Sequence, residues 1–216
     1  MQIGLKECCE ELEGTDDIAL LCHQNPDGDT LGSAFALHYL LRRLGKRSRV
    51  ECADDFPKRY AFLWREYEPE EFVPKFTVAV DVADEQLLGS LADKYKGRID
   101  LCIDHHSSNQ FYAEKTFMRP EAAAAAELVA AIVGEFPKVE LTQQIADCIY
   151  TGISTDTGCF CYSNTTAHTH MVAAEMFRAG CSYAAINYLM FEQKSLSRIA
   201  IEKEVLNTVE YHFNNR

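Results

Sequence analysis

The stretch IALLCHQNPDGDTLGSA, residues 18–34, joins three signals that together decide the fold. Ile18 to Cys22 is an apolar run without polar alternation, the pattern of a strand buried on both faces. From Thr30 to Leu44 apolar residues recur at helical spacing, so a helix follows closely. Between them lie His23, Asp27, Gly28 and Asp29. A strand, a short turn and a helix make half of a βαβ unit, and such units build parallel sheets. The turn itself has two readings: a solvated loop of turn formers, or half of a metal site.

The same alternation continues downstream. SRVECA (48–53), FTVAVDV (76–82) and IDLCID (99–104) read as further buried strands, with a short helix over 57–64. The second half is helical, over 121–133, 142–154, 166–179, 182–190 and 196–211, and the acidic residues 1–14 are also helical in pattern. The expected fold is α/β: an open, mainly parallel β-sheet with helices on both faces and a more helical C-terminal half. A chain of 216 residues can bury one substantial core. The alanine run at 122–126 suits close helix packing and is a weak functional signal alone.

Composition narrows the function. A formal net charge of −12 argues against a long basic nucleic-acid track. The main basic cluster, Arg42, Arg43, Lys46, Arg47 and Arg49, falls at the end of the predicted helix, where cations complement its dipole. No stretch approaches the roughly 20 apolar residues of a membrane span, and the acidic N-terminus is unlike a secretory signal. Nine cysteines without a CxxC pair read as reduced thiols of a cytoplasmic protein. Cys159 and Cys161 are read as packing groups rather than redox partners.

In an open parallel sheet, ligands sit beyond the carboxyl ends of the strands. The first predicted strand runs into His23, Asp27 and Asp29, the third into Asp81 with Asp84 close behind, and the fourth into Asp104-His105-His106. A lone Asp after a strand is ordinarily a turn former or an N-cap. Three loaded ends on one sheet edge point instead to a shared site. Gly28 would let the backbone turn sharply, so that Asp27 and Asp29 face a common centre. The helix beginning near Thr30 would aim free N–H groups at the same place, favouring an anion such as phosphate. TGISTDTGCF (151–160) adds Asp156 in a glycine-flanked turn after a helix. Carboxylates and imidazoles without thiolates suit Mn²⁺, Mg²⁺ or Fe²⁺. His38, His168, His170 and His212 lie in helical stretches outside these segments and are assigned no ligand role.

Taken in order, HQNPDGDTLGS (23–33), DVAD (81–84), DHH (104–106) and GISTDTG (152–158) resemble the four motifs of the DHH phosphoesterase superfamily. Within it the chain is most similar to the bacterial oligoribonuclease (nanoRNase) and pAp phosphatase branch. The resemblance implies hydrolysis of short RNA or 3′-phosphoadenosine 5′-phosphate with two Mn²⁺, for which Mg²⁺ or Co²⁺ could substitute. It implies one ion on His23, Asp27 and Asp81, and a second on Asp29, Asp81, His105 and Asp156, with Asp81 bridging. His106 would face the substrate phosphate, and Asp104 would orient an imidazole through its free N–H. Residues 1–192 are then the catalytic domain, and 193–216 a terminal helix leading toward a C-terminal substrate-binding domain. The glycine-rich motif of that second domain has no counterpart here, so a catalytic domain cut at the linker is the expectation. Alternative activities are an inorganic pyrophosphatase or exopolyphosphatase, a RecJ-type single-strand exonuclease, or a non-catalytic metal or nucleotide sensor. The partners expected are a short RNA or nucleotide and, as an allowance, a second copy of the chain; a membrane is not among them.

Overall fold

The computed structural model describes residues 1–210. The chain opens with β1 (Gln2–Ile3), α1 (Leu5–Gly14), β2 (Ile18–Leu21), α2 (Gly28–Arg43) and β3 (Ser48–Glu51). After a 3-10 turn at Lys58–Tyr60 come β4 (Phe76–Val80), a second such turn at Glu85–Leu88, α3 (Ser90–Tyr95), β5 (Leu101–Asp104) and β6 (Lys115–Met118). Helices follow: α4 (Ala125–Gly134), α5 (Gln143–Asp156), α6 (Ala167–Arg178), α7 (Tyr183–Asn187) and α8 (Leu196–Asn207).

All six strands pair in parallel, in the order β1-β6-β5-β4-β2-β3. The expected α/β fold is therefore present. Successive residues of each strand face opposite sides, which splits the core in two. Ile18, Leu20, Val78, Val80, Leu101 and Ile103 face the large core built with α1, α2, α4 and α5. Ala19, Leu21, Ala79 and Cys102 face a thin layer holding Leu88, Tyr95 and Ile99. Helices cover both faces, but unevenly.

From β2 the chain crosses to β3 on one side, then returns over the sheet to β4 on the other side of β2. The crossovers leaving β2 and β4 thus diverge, and a crevice opens beyond the carboxyl ends of these two strands. His23 and Asp81 stand there, which is what positions the site.

The structure corrects several expectations. Gln2–Ile3 is a strand paired with β6, not part of the N-terminal helix, and Lys115–Met118 is a strand beyond the four expected from apolar runs. Both sit toward one edge and are too short and mixed to show a hydrophobic period. Residues 57–64 hold only a 3-10 turn. The helix expected from 121 begins at Ala125, because residues 121–124 arch over the site. Tyr211 and His212 lie outside the described residues. The basic cluster is largely neutralised: Arg42 pairs with Glu70 at 2.5 Å, Arg47 with Asp17 at 2.5 Å and Arg49 with Glu51 at 2.7 Å. All nine cysteines are free thiols. No helix among the described residues is long and apolar enough to cross a membrane.

Candidate metal centre

Asp27 caps α2: its Oδ1 accepts the N–H groups of Asp29 (3.0 Å) and Thr30 (3.1 Å). The helix N-terminus expected to bind phosphate thus already holds a carboxylate. Asp29, in the first turn, is 1% exposed. Its Oδ1 accepts from Ala126 N–H (3.0 Å) and Ser33 Oγ (3.1 Å), and its Oδ2 from Ala125 N–H (2.6 Å). A carboxylate offers about four acceptor sites, so the three donors leave one, on Oδ2. That oxygen lies 3.7 Å from His105 Nε2.

Glycines bring α5 against this turn. A Cβ on Gly28 would lie 2.3 Å from Thr155 Oγ1, one on Gly32 would lie 2.4 Å from the Cys148 carbonyl oxygen, and one on Gly152 would lie 2.6 Å from Asp29 Oδ1. Gly28 is therefore the first residue of α2 and a close-contact glycine, not the turn glycine expected from its neighbours. The close approach delivers Asp156, which ends α5 rather than sitting in a loop beyond it. From the sheet side comes Asp81, immediately after β4, with φ +61°. A non-glycine residue rarely adopts that left-handed conformation, and such strain collects at functional sites. Asp84, by contrast, caps the turn at Glu85–Leu88 through the N–H of Gln86.

Each imidazole is fixed by the hydrogen bond at its Nδ1. His23 Nδ1 lies 2.8 Å from the Gln24 carbonyl oxygen and His105 Nδ1 lies 3.1 Å from that of Ala122. A carbonyl only accepts, so Nδ1 donates in both and Nε2 is the atom available to a metal. His23 Nε2 is 3.6 Å from Asp27 Oδ1 and 3.9 Å from Asp81 Oδ2. His105 Nε2 is 3.5 Å from Asp81 Oδ1 and 3.6 Å from Asp156 Oδ2. His106 differs: Nδ1 donates to Asp104 Oδ1 at 2.8 Å, and the side chain is 45% exposed against 11% for His105. Asp104 is fully buried, taking the N–H groups of His105 and His106 on Oδ1 and Asn109 Nδ2 on Oδ2 at 2.6 Å. Burial raises its carboxyl, but the hydrogen bonds from His106 and Asn109 prevail and hold it below its ordinary value.

Electrostatics show what the cluster lacks. Burial, then Asp81, Asp156 and Asp27, push Asp29 well above the usual carboxylate range despite His105. Burial and the charges of Asp81 and Asp27 push Asp156 up to about 6. Burial lowers both His23 and His105, yet Asp27, the Gln24 carbonyl and Asp81 lift the first to about 9. Asp81, Asp29 and Asp156 lift the second to about 10. The carboxylates thus gather positive charge by holding protons. A divalent cation supplies that charge and releases the protons.

The residues fit such a cation. Asp81 Oδ1 and His105 Nε2 are buried without a hydrogen-bond partner, a costly state unless something else engages them. Three overlapping groups, His23–Asp27–Asp81, Asp29–His105–Asp156 and Asp81–His105–His106, each offer ligand atoms within 4.8 Å of one another. Metal–ligand bonds of about 2.1 Å allow two donors on one ion to stand up to roughly 4.2 Å apart. The measured separations of 3.5–3.9 Å lie inside that span.

All six residues expected as ligands are thus brought to one crevice, with His106 and Asp104 beside them. Reading side chains missed Ala125 and Ala126, whose contribution is backbone N–H, and Ser33, one turn beyond Asp29. It also missed Asn109, for which only the spacing after Asp104 gave a signal. Of the remaining histidines, His38 is buried against Ser48 Oγ at 2.8 Å, in keeping with a structural role.

The bifunctional oligoribonuclease and PAP phosphatase NrnA of Thermus thermophilus is 33% identical over 214 residues, covering 96% of this chain and 63% of that protein. The protein of the same name from Bacillus subtilis is 26% identical over 184 residues, covering 83% and 58%. The chain therefore spans about three fifths of the length of these curated relatives. An exopolyphosphatase-related protein from Bacteroides fragilis superposes with a TM-score of 0.84 at 22% identity, over 96% of this chain and 66% of that one, a likeness of fold. Residues 17–153 match the DHH family, N-terminal domain, and the chain belongs to that family.

Proposed function

We propose that this chain is the catalytic part of a hydrolase that uses two divalent cations to cleave phosphate esters in short oligoribonucleotides and 3′-phosphoadenosine 5′-phosphate. One observation carries the reading. The two oxygens of Asp81 serve different imidazoles, Oδ2 at 3.9 Å from His23 Nε2 and Oδ1 at 3.5 Å from His105 Nε2. Asp81 would accordingly bridge, with His23 and Asp27 holding one ion and Asp29, His105 and Asp156 the other. A sulfur-free set of oxygens and imidazoles favours Mn²⁺, with Mg²⁺ or Co²⁺ as substitutes. When bound, the cation pair activates water and offsets charge on the phosphoryl oxygens.

The chain's own residues do the rest. His106 donates Nδ1–H to Asp104, which holds the ring's pKa above its ordinary value, so in the imidazolium form Nε2–H is the donor that meets the phosphoryl or leaving oxygen. Asp104 is occupied by four donors and acts by holding that ring. Residues 1–192 form the catalytic domain, and α8, which buries none of its side chains, leads toward a substrate-binding domain. Nine unpaired thiols favour the reducing cytoplasm. The names of the relatives favour this substrate class over pyrophosphate.

The test strips the protein of metal and restores one ion at a time. Product release is then followed with 3′-phosphoadenosine 5′-phosphate, a ribodinucleotide, pyrophosphate and single-stranded DNA. Mn²⁺-dependent turnover of the first two is expected. Full activity in chelator, or a preference for pyrophosphate, would contradict the reading.

A further inference from the structure

A cavity of about 330 Å³ has walls that include Arg119, Ala122, Glu127, Leu128, Thr166 and His168. Glu127 is the anomaly there. Its residue is 3% exposed, its Oε1 has no partner, and no hydrogen bond or ion pair engages its carboxylate among the described residues. A buried carboxylate left unpaired costs stability, and its persistence calls for a donor from outside the chain. The cavity is large enough for a small polar ligand.

Two connections tie this cavity to the catalytic crevice. Ala122 lines it and also holds His105 Nδ1 through its carbonyl. Glu127 follows directly on Ala125 and Ala126, whose N–H groups hold Asp29. The cavity wall and the backbone groups that hold His105 and Asp29 thus belong to one segment, residues 122–127. In both substrate types of the proposed function, the phosphorus on a 3′-oxygen stands beside a 2′-hydroxyl. A carboxylate is the group that recognises such hydroxyls in other nucleotide sites, and the 2′-hydroxyl distinguishes RNA from DNA.

We propose that this cavity is a subsite for the ribose next to the scissile phosphate, in which Glu127 accepts a hydrogen bond from the 2′-hydroxyl. Arg119 lines the same cavity, pairs with no carboxylate among the described residues, and offsets the repulsion between Glu127 and a phosphorylated ligand. The inference rests on the proposed function for its choice of ligand, but its test needs no turnover.

Adenosine, 2′-deoxyadenosine and 3′-deoxyadenosine are titrated into the metal-free chain in chelator, with binding read by NMR. Adenosine and the 3′-deoxy compound should bind about tenfold more tightly than the 2′-deoxy compound, the scale of one hydrogen bond to a charged group. Glu127→Met should erase that difference. It should also raise the melting temperature by about 2–4 °C, because it removes an unpaired buried carboxylate. A wild-type chain that binds none of the three at millimolar concentration, or binds all equally, overturns the subsite. So does a Glu127→Met protein that keeps the preference, or melts lower while keeping it. If the preference is found but no phosphate ester is cleaved with any divalent ion, the proposed activity fails and the ribose subsite stands.

Discussion

Gly152→Ala tests the packing that assembles the metal centre. A Cβ there would lie 2.6 Å from both Ala126 Cβ and Asp29 Oδ1, whereas ordinary contact begins at 3.4 Å, a shortfall of about 0.8 Å. Within a helix Ala outranks Gly by about 1 kcal/mol, so intrinsic propensity alone would stabilise the variant. Overpacking of a tight core costs about 1–3 kcal/mol. Displacing Asp29 also loosens its bonds to Ala126 N–H and Ser33 Oγ, each worth about 1.5–3 kcal/mol as a hydrogen bond to a charged group. The net expectation is a loss of about 2 kcal/mol, or roughly 4–8 °C in melting temperature for a chain of this size. Ligand positions must hold to within about 0.2 Å, so Mn²⁺ affinity should fall at least tenfold. Gly134, where a Cβ meets nothing within 4 Å, is the control, and Gly134→Ala should melt at or slightly above the wild-type temperature. Thermal denaturation without metal and calorimetric Mn²⁺ titration read the two effects. A Gly152→Ala protein that melts at or above wild type and binds Mn²⁺ as tightly would refute the reasoning.

Further expectations follow from the same geometry. In metal-free protein His23 and His105 hold protons up to about 9 and about 10, and Asp156 up to about 6. Above about 6.5 the folded state then binds more protons than the unfolded one, so the melting temperature should fall as pH rises from about 6.5 through about 10, while His38, held by burial down to about 4, opposes a decline at lower pH. With saturating Mn²⁺ that decline should flatten, and a metal-free chain that gains stability over the range would contradict the charge argument. Asn109→Ala removes the 2.6 Å donor to Asp104 Oδ2. It should lower kcat about tenfold with little change in KM, and raise the NMR-measured pKa of His106, because Asp104 then keeps more negative charge for that ring; an unchanged His106 titration would show that Asn109 does not act through it. Activity restored to metal-free protein should rank Mn²⁺ above Mg²⁺ and Co²⁺, and a zinc-only enzyme would contradict the ligand chemistry.

Much of this site was legible because its chemistry is carried by side chains at strand ends. Strands β2, β4 and β5 announce themselves as apolar runs, and a parallel sheet then sends His23, Asp81 and Asp104 to one edge. β1 and β6 stay hidden because a two-residue strand has no period to read, and Lys115–Met118 mixes polar and apolar residues where β2 is a continuous apolar run. The grip of Ala125 and Ala126 on Asp29 could not be read from alanine, because every residue but proline carries the same N–H. The glycines misled in a different way. Gly28 has the look of a turn former, but what excludes a side chain there is Thr155, more than a hundred residues away in sequence. Asp156 is legible as a site residue but not as the end of a helix, since the flanking glycines conceal that α5 runs through Gly152.

The central claim is that Asp81 joins two cations, and counting Mn²⁺ by calorimetry together with electron paramagnetic resonance tests it most directly. Two ions per chain are expected, with the exchange-coupled signal of a bridged pair. Asp81→Asn should weaken both ions and abolish the coupling, while His23→Ala should weaken one ion and leave the other in place. A wild-type chain that saturates with a single uncoupled Mn²⁺, or an Asp81→Asn chain that binds two at undiminished affinity, would contradict it.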